Sequence, residues 1–231
     1  MALRDDIQSL RDRTLTDLIA ADDYFTETKI AWHIATKAIQ GGASFSIRSM
    51  TTGSLITHGD LVSKAISYMD DQLARTSFQE IISLFEHFFF NLLRLWLTAH
   101  PQSLVAKQVS FKDILEAPDR DTITLLVVNK ELNEVLYKKP TDWFAYLEDR
   151  AKLGCPTATE VDQIAEAKAS RDILAHNRGV ANKTYEAKAG RLARYKDGEK
   201  IDIPEDYHRE TWRLIRKLVT DLSNAAIAKA P

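Results

Sequence analysis

The sequence predicts an all-α protein, an antiparallel helical bundle with an N-terminal helical extension. Apolar residues recur at spacings of three and four along most of the chain, capping signals bracket those segments, and β-branched residues cluster in only one place. The 231 residues suffice for a sizeable core. A hydrophobic content of 45% and a charged content of 28% describe an ordinary globular protein.

Along residues 2–40, Leu3, Ile7, Leu10, Leu15, Leu18 and Ile19 keep helical spacing, and a second stretch surrounds Ile30, Trp32, Ile34 and Ile39. Two helices ended by Gly41-Gly42 are expected. Residues 41–60, GGASFSIRSMTTGSLITHGD, show no sustained period and read as a long loop. The chain divides there into an extension (1–60) and a main helical domain (61–231). From Asp60 a short helix leads into a long apolar helix over 70–99 that Pro101 terminates. Its centre, IISLFEHFFFNLLRLWL (81–97), carries Glu86, His87, Asn91 and Arg94. Burying those in lipid would cost several kcal/mol, so it reads as a core helix, and no membrane partner is expected. Three consecutive phenylalanines (88–90) exceed what one helix face needs, so part of the run is expected to face another helix or subunit.

In DTITLLVVNKELNEVLYKK (121–139), Ile123, Val127 and Val128 would tolerate a strand, but Leu132, Val135 and Leu136 continue at helical spacing, and a helix is expected. The next helix is well signalled. Thr157 and Glu160 make a Thr-x-x-Glu capping box, Gly179 suits the left-handed residue that ends a helix, and His176 falls in the last turn. A polar, basic excursion follows. The last helix is expected to begin at Asp202, with Pro204 in its first turn and Trp212, Ile215, Val219 and Leu222 on its buried face.

The net charge of −2 does not by itself demand a nucleic-acid partner. Its distribution is uneven: between Lys168 and Lys217 there are 13 Lys and Arg against 8 Asp and Glu, a local excess of +5. The single cysteine, Cys155, excludes an internal disulfide framework and reads as an inert thiol of a reducing compartment. The charged start MALRDDIQSLRDR lacks the apolar run of a signal peptide, so a cytoplasmic location is expected. His33, His58, His100 and His208 show no ligand spacing, and no metal site is expected.

The segment RDILAHNRG (171–179) concentrates reactive groups. At about 100° per residue, Asp172 and His176 share a helix face, whereas Arg171 and His176 are about 140° apart. A carboxylate beside an imidazole fixes its tautomer for proton transfer, and an arginine offers a forked cation suited to phosphate. One copy of this arrangement cannot easily aim all three groups at one atom; two copies across a two-fold axis could.

These residues resemble the Arg-polar-x-x-x-His signature of HEPN domains (higher eukaryotes and prokaryotes nucleotide-binding), an α-helical superfamily that includes many RNases and toxins. Arg171, Asp172 in the variable polar slot, His176, Asn177 and Gly179 carry the match. FQEIISLFEHFFFNLLRLWL is similar to the family's long first core helix, with Glu86 at the position of its acid. The resemblance covers roughly 70–228.

It implies a HEPN-like bundle that dimerises so that two motifs face one cleft, and metal-independent RNA cleavage in which the ribose 2′-OH attacks the adjacent phosphate, with no cofactor. His176 would be general acid or base, Arg171 would stabilise the phosphorane charge, and Asp172 would hold or tune His176, with Glu86 and Asn177 in support. Arg178, Lys183, Arg191, Arg194, Arg209 and Arg213 would hold the RNA backbone. The implied partners are RNA, a second copy of the chain and, for a toxin or antiphage effector, an antitoxin or other regulator. In the subgroup paired with nucleotidyltransferase antitoxins a tyrosine stands two residues beyond the histidine. Arg178 stands there in this chain, so regulation by tyrosine adenylylation is not expected. The competing expectation is a catalytically silent HEPN-like module that binds nucleotide or RNA, or serves dimerisation.

Overall fold

In the computed structural model, which describes residues 3–44, 46–104 and 108–230, helices account for nearly all regular structure. The first, α1, runs unbroken from Leu3 to Gln40. The two helices expected here are one because neither Gly nor Pro occurs before Gly41. Its first two thirds bury Ile7, Leu10, Leu18, Ala21 and Phe25 in the main core. Beyond Phe25 the helix leaves that core, and Ile30 and Ile34 are more than half exposed. This outer part packs on α2 (His58–Ser67), with Trp32 edge-on to Tyr68 at 5.9 Å. Between them, β1 (Ile47–Arg48) pairs antiparallel with β2 (Leu55–Ile56).

A boundary at residue 60 therefore does not separate packing units. Residues 3–25 belong to the bundle, and beyond Phe25 the chain projects from it until α3 begins. The loop composition of 41–60 marks the turn of that arm, not the edge of a domain.

A π-helical turn (Tyr68–Gln72) joins α2 to α3 (Leu73–Ala99). This is the apolar helix, and it touches α1, α5 (Arg120–Leu136), α6 (Pro140–Ala151), α7 (Ala158–His176) and α9 (Glu205–Lys229). Phe85, Phe88, Phe89, Leu92, Leu93 and Leu97 are buried on it. At about 25 cal/mol per Å² of apolar surface, a buried Phe contributes about 2–3 kcal/mol. Phe90, only partly buried, rests edge-on against Trp143 of α6 at 4.9 Å, so the phenylalanine run is divided between two directions of packing. By length and composition alone His58–Ala99 could cross a membrane, but half of its apolar window is buried in the bundle. Residues 121–136 are helical as part of α5, capped by Asp119, and the helix stops before Tyr137. Two short helices, α4 (Phe111–Glu116) and α8 (Lys183–Ala189), complete the chain.

Side-chain links fix the directions of the long helices. Arg4 reaches the carbonyl of Ala230 at 2.8 Å and Lys29 meets Glu205 at 2.5 Å, so α1 and α9 are antiparallel. Glu86, at the middle of α3, meets Arg171, while Arg75 in its first turn donates to the carbonyl of Ile201, which is itself bonded to Gly179 just past α7. Helices α3 and α7 are thereby antiparallel too. The last helix begins at Glu205, three residues later than expected. The reason is local: Ile201 donates to Gly179 at 2.8 Å and Ala181 to Glu199 at 2.8 Å, so the segment before Pro204 is held extended against the exit of α7. Asp202 meanwhile accepts the Tyr195 hydroxyl.

Candidate functional site

Helix α7 supplies the motif. The Thr157 hydroxyl accepts the Glu160 amide while Glu160 accepts the Thr157 amide at 2.8 Å, the reciprocal cap read from the sequence. Its inner face carries Ile164, Ala165, Ala167, Ala169, Ser170 and Ile173, small enough to let α3, α8 and α9 approach. At the far end Asn177 and Gly179 both donate to the carbonyl of Ile173 at 3.0 Å. Arg178 and Gly179 are in the left-handed region, with φ of 53° and 76°. The positive φ favours glycine at 179, and a Cβ there would lie 2.9 Å from the tip of the Arg75 guanidinium, which would have to move aside.

The structure brings Glu86, Arg171 and Asp172 together. Arg171 pairs with Glu86 across the α3–α7 contact and lies 3.2 Å from Asp172. Two residues not singled out from the sequence join them. Lys168 lies 2.9 Å from Glu86 and 3.2 Å from Asp172, and Lys188 of α8 lies 3.3 Å from Asp172. Side chains of Glu86, Lys168, Arg171 and Asp172 are all under a fifth exposed. Three cations over two carboxylates leave the cluster one positive charge in excess, held at reduced solvation, which favours an anion beside it. Lys168 was legible as the residue four before Asp172. Lys188 was not, because it arrives from another helix.

His176 is exposed in the last turn of α7. The expected pairing of Asp172 with His176 is not made. Both Asp172 oxygens are engaged, by Lys168 one turn earlier, by Lys188 and by Arg171, so the carboxylate turns toward the start of the helix. Asn177 serves the backbone, its amide donating to the carbonyl of Val180 and holding the turn after His176.

No family model, curated protein or solved structure matches this chain.

The expected backbone-binding residues divide. Arg178 and Lys183 are exposed beside the motif. Arg191 is exposed but paired with Asp162, and Arg209 is paired with Glu205 at 2.9 Å. Arg213 is exposed on α9. Arg194 is committed elsewhere: it lies 3.2 Å from buried Glu166 and stacks on the Tyr207 ring at 3.4 Å from its centroid. Its desolvated, stacked guanidinium is not free for a phosphate. Glu166 also accepts Ser170 at 2.7 Å, Tyr185 at 2.8 Å and Tyr207. Burial and the adjacent Glu166 charge push the Tyr185 hydroxyl up to about 12 and raise Tyr207 well above the usual phenol range. Four donors on one carboxylate lock α8 and the 190–203 segment to α7 and α9, and so carry Lys188 to Asp172. Among the described residues no three His, Cys, Asp or Glu side chains gather as metal ligands would.

Proposed function

We propose that this chain is a metal-independent endoribonuclease of HEPN type, cytoplasmic and active as a homodimer, serving as a toxin or antiphage effector. The observation that carries the reading is the meeting of Glu86 with Arg171, 85 positions apart in the chain, one and a half turns from a solvent-exposed imidazole at the helix end. An arginine held by an acid on one side and an accessible histidine on the other is what a phosphodiester needs: a fixed cation for the charge that develops on phosphorus, and a group that relays protons near neutral pH.

In this mechanism His176 takes the proton of a ribose 2′-OH as the oxygen attacks the neighbouring phosphorus. The P–O5′ bond breaks, the 5′ oxygen receives a proton from the second copy's imidazole, and the products are a 2′,3′-cyclic phosphate and a free 5′-OH. Arg171 supplies charge to the pentacoordinate phosphorus. Asp172 positions Arg171, Lys168 and Lys188 instead of tuning His176. Two copies are required because one motif offers a single imidazole.

Purified protein should cut single-stranded RNA with EDTA present, leave a 2′-deoxy substrate intact, and lose at least about a hundredfold in rate on His176→Ala. Cleavage that persists unchanged in that variant removes the mechanism. A second reading is favoured by one observation: Arg171 and Asp172 are already ion-paired within the chain. In that reading the chain is a silent HEPN-like module that binds nucleotide or RNA, and it would bind oligonucleotide with equal affinity whether residue 176 is His or Ala while cutting nothing.

A further inference from the structure

Helix α3 keeps one face open. Glu86, Phe90 and Arg94 recur every four residues along it, His87 and Asn91 lie beside them, and a trough runs over this face between α1 and α5. The trough has two halves that share His87, Asn91 and Arg94. The half against α1, about 480 Å³, is walled by Asp6 and Asp17 as well as Arg13. The half against α5, about 400 Å³, is of another character and begins at Glu86, the acid that holds Arg171.

In the α5 half the walls are an aromatic ring and two leucines, Phe90, Leu132 and Leu136, with the amides of Asn91 and Asn133 set between them. Phe90 is fixed by its edge-on contact with Trp143 at 4.9 Å. Asn91 donates to the carbonyl of His87 at 2.8 Å, which leaves its own oxygen outward as an acceptor. Glu86 is neutralised by Arg171 and Lys168, so Arg94 is the uncompensated charge of this lining. It is exposed, and its present hold is a neutral one, on Asn129. The volume falls within the range of about 300–1,000 Å³ of small-ligand sites.

We infer that the α5 half of this trough is a nucleotide subsite, occupied by the residue of RNA next to the phosphate that Arg171 receives. The base lies against Phe90 and between Leu132 and Leu136, its edge meets Asn91 and Asn133, and its outer phosphate goes to Arg94. Every base has a face that stacks on an aromatic ring, and amides are suited to hydrogen-bond its edge. In the α1 half Asp6 and Asp17 offset Arg13 and Arg94, so it offers a phosphate no excess positive charge. The assignment rests on the ribonuclease reading for the identity of the strand, not for the existence of the pocket.

The test is titration of the intact protein with each of the four nucleoside monophosphates, the matching nucleosides and inorganic phosphate, followed by calorimetry or NMR shift changes. At least one monophosphate should bind saturably, more tightly than its nucleoside and than inorganic phosphate. Arg94→Ala should weaken that monophosphate about tenfold or more while leaving the nucleoside unchanged, and Asn133→Ala should weaken both. Both side chains are exposed, so the fold survives their loss. No saturation by any monophosphate at about 5 mM, or binding indifferent to both substitutions, overturns the subsite. The outcomes are separable from those of the nuclease reading. A chain that cuts RNA yet fails this titration loses only the subsite, and one that passes it but cuts nothing retains the subsite and loses the nuclease.

Discussion

His208 lies fully buried on α9, stacked on Phe25 at 4.2 Å, with Nε2 3.1 Å from the Ser77 hydroxyl. Burial, and after it the charge of Arg209, depress its pKa to about 4, with Glu205 opposing and Lys29 adding slightly. A histidine depressed in the folded state leaves the unfolded chain holding more protons between about 4 and the ordinary 6.5. Stability is therefore constant above that window and falls as the pH drops through it, by up to about 3 kcal/mol. Urea melts at pH 7 and pH 4.5 should show that loss, and His208→Gln should flatten it. Gly179 carries a second consequence at this scale. Alanine there meets both a positive φ and the Arg75 guanidinium, which should cost about 1–2 kcal/mol in a denaturant melt. Combining it with Arg75→Ala should return part of that cost.

At the scale of elements, the α3–α7 contact decides how the motif is presented. Glu86 is the acceptor for both Arg171 and Lys168. Glu86→Ala strands two partly buried cations and should destabilise the fold by about 2 kcal/mol, below the full range for a buried pair because water still reaches the cluster. Glu86→Gln, which keeps a hydrogen-bond acceptor for Arg171, should cost less. Loss of RNA cleavage in the Gln variant without loss of stability would mark the charge of Glu86 as part of the chemistry. The capping box of α7 and its glycine exit were legible in the sequence because they are local rules. The start of α9 was misplaced, since Asp202 and Pro204 have the right residue types but the preceding strand-like segment is bonded to Gly179 and Ala181 instead.

For the whole molecule, the strongest statement concerns the N-terminal third. Ile7, Leu18 and Phe25 are buried without residue in the same core as α3 and α9, and Trp212 donates to the carbonyl of Leu18 at 2.8 Å. Removing residues 1–25 should abolish cooperative unfolding by circular dichroism, since each lost side chain of this size contributes about 2–5 kcal/mol against a typical total of about 5–15. A truncated protein that still melts sharply would restore the notion of a separable extension. Replacing the tip of the projecting arm, from about residue 43 to 57, by a short linker should by contrast leave the bundle standing, because Ile47, Met50 and Leu55 are exposed.

The all-α character, the cap and exit of α7 and the core role of the 81–97 helix follow from spacing and residue type, which act over a few positions or through the cost of burying charge. The orientation of Asp172, the withdrawal of Arg194 into the Glu166 network, the arrival of Lys188 and the inclusion of residues 3–25 in the core were settled only by tertiary contacts. Each is a competition between alternative partners for one side chain, and which partner wins depends on distances between helices that no local pattern encodes.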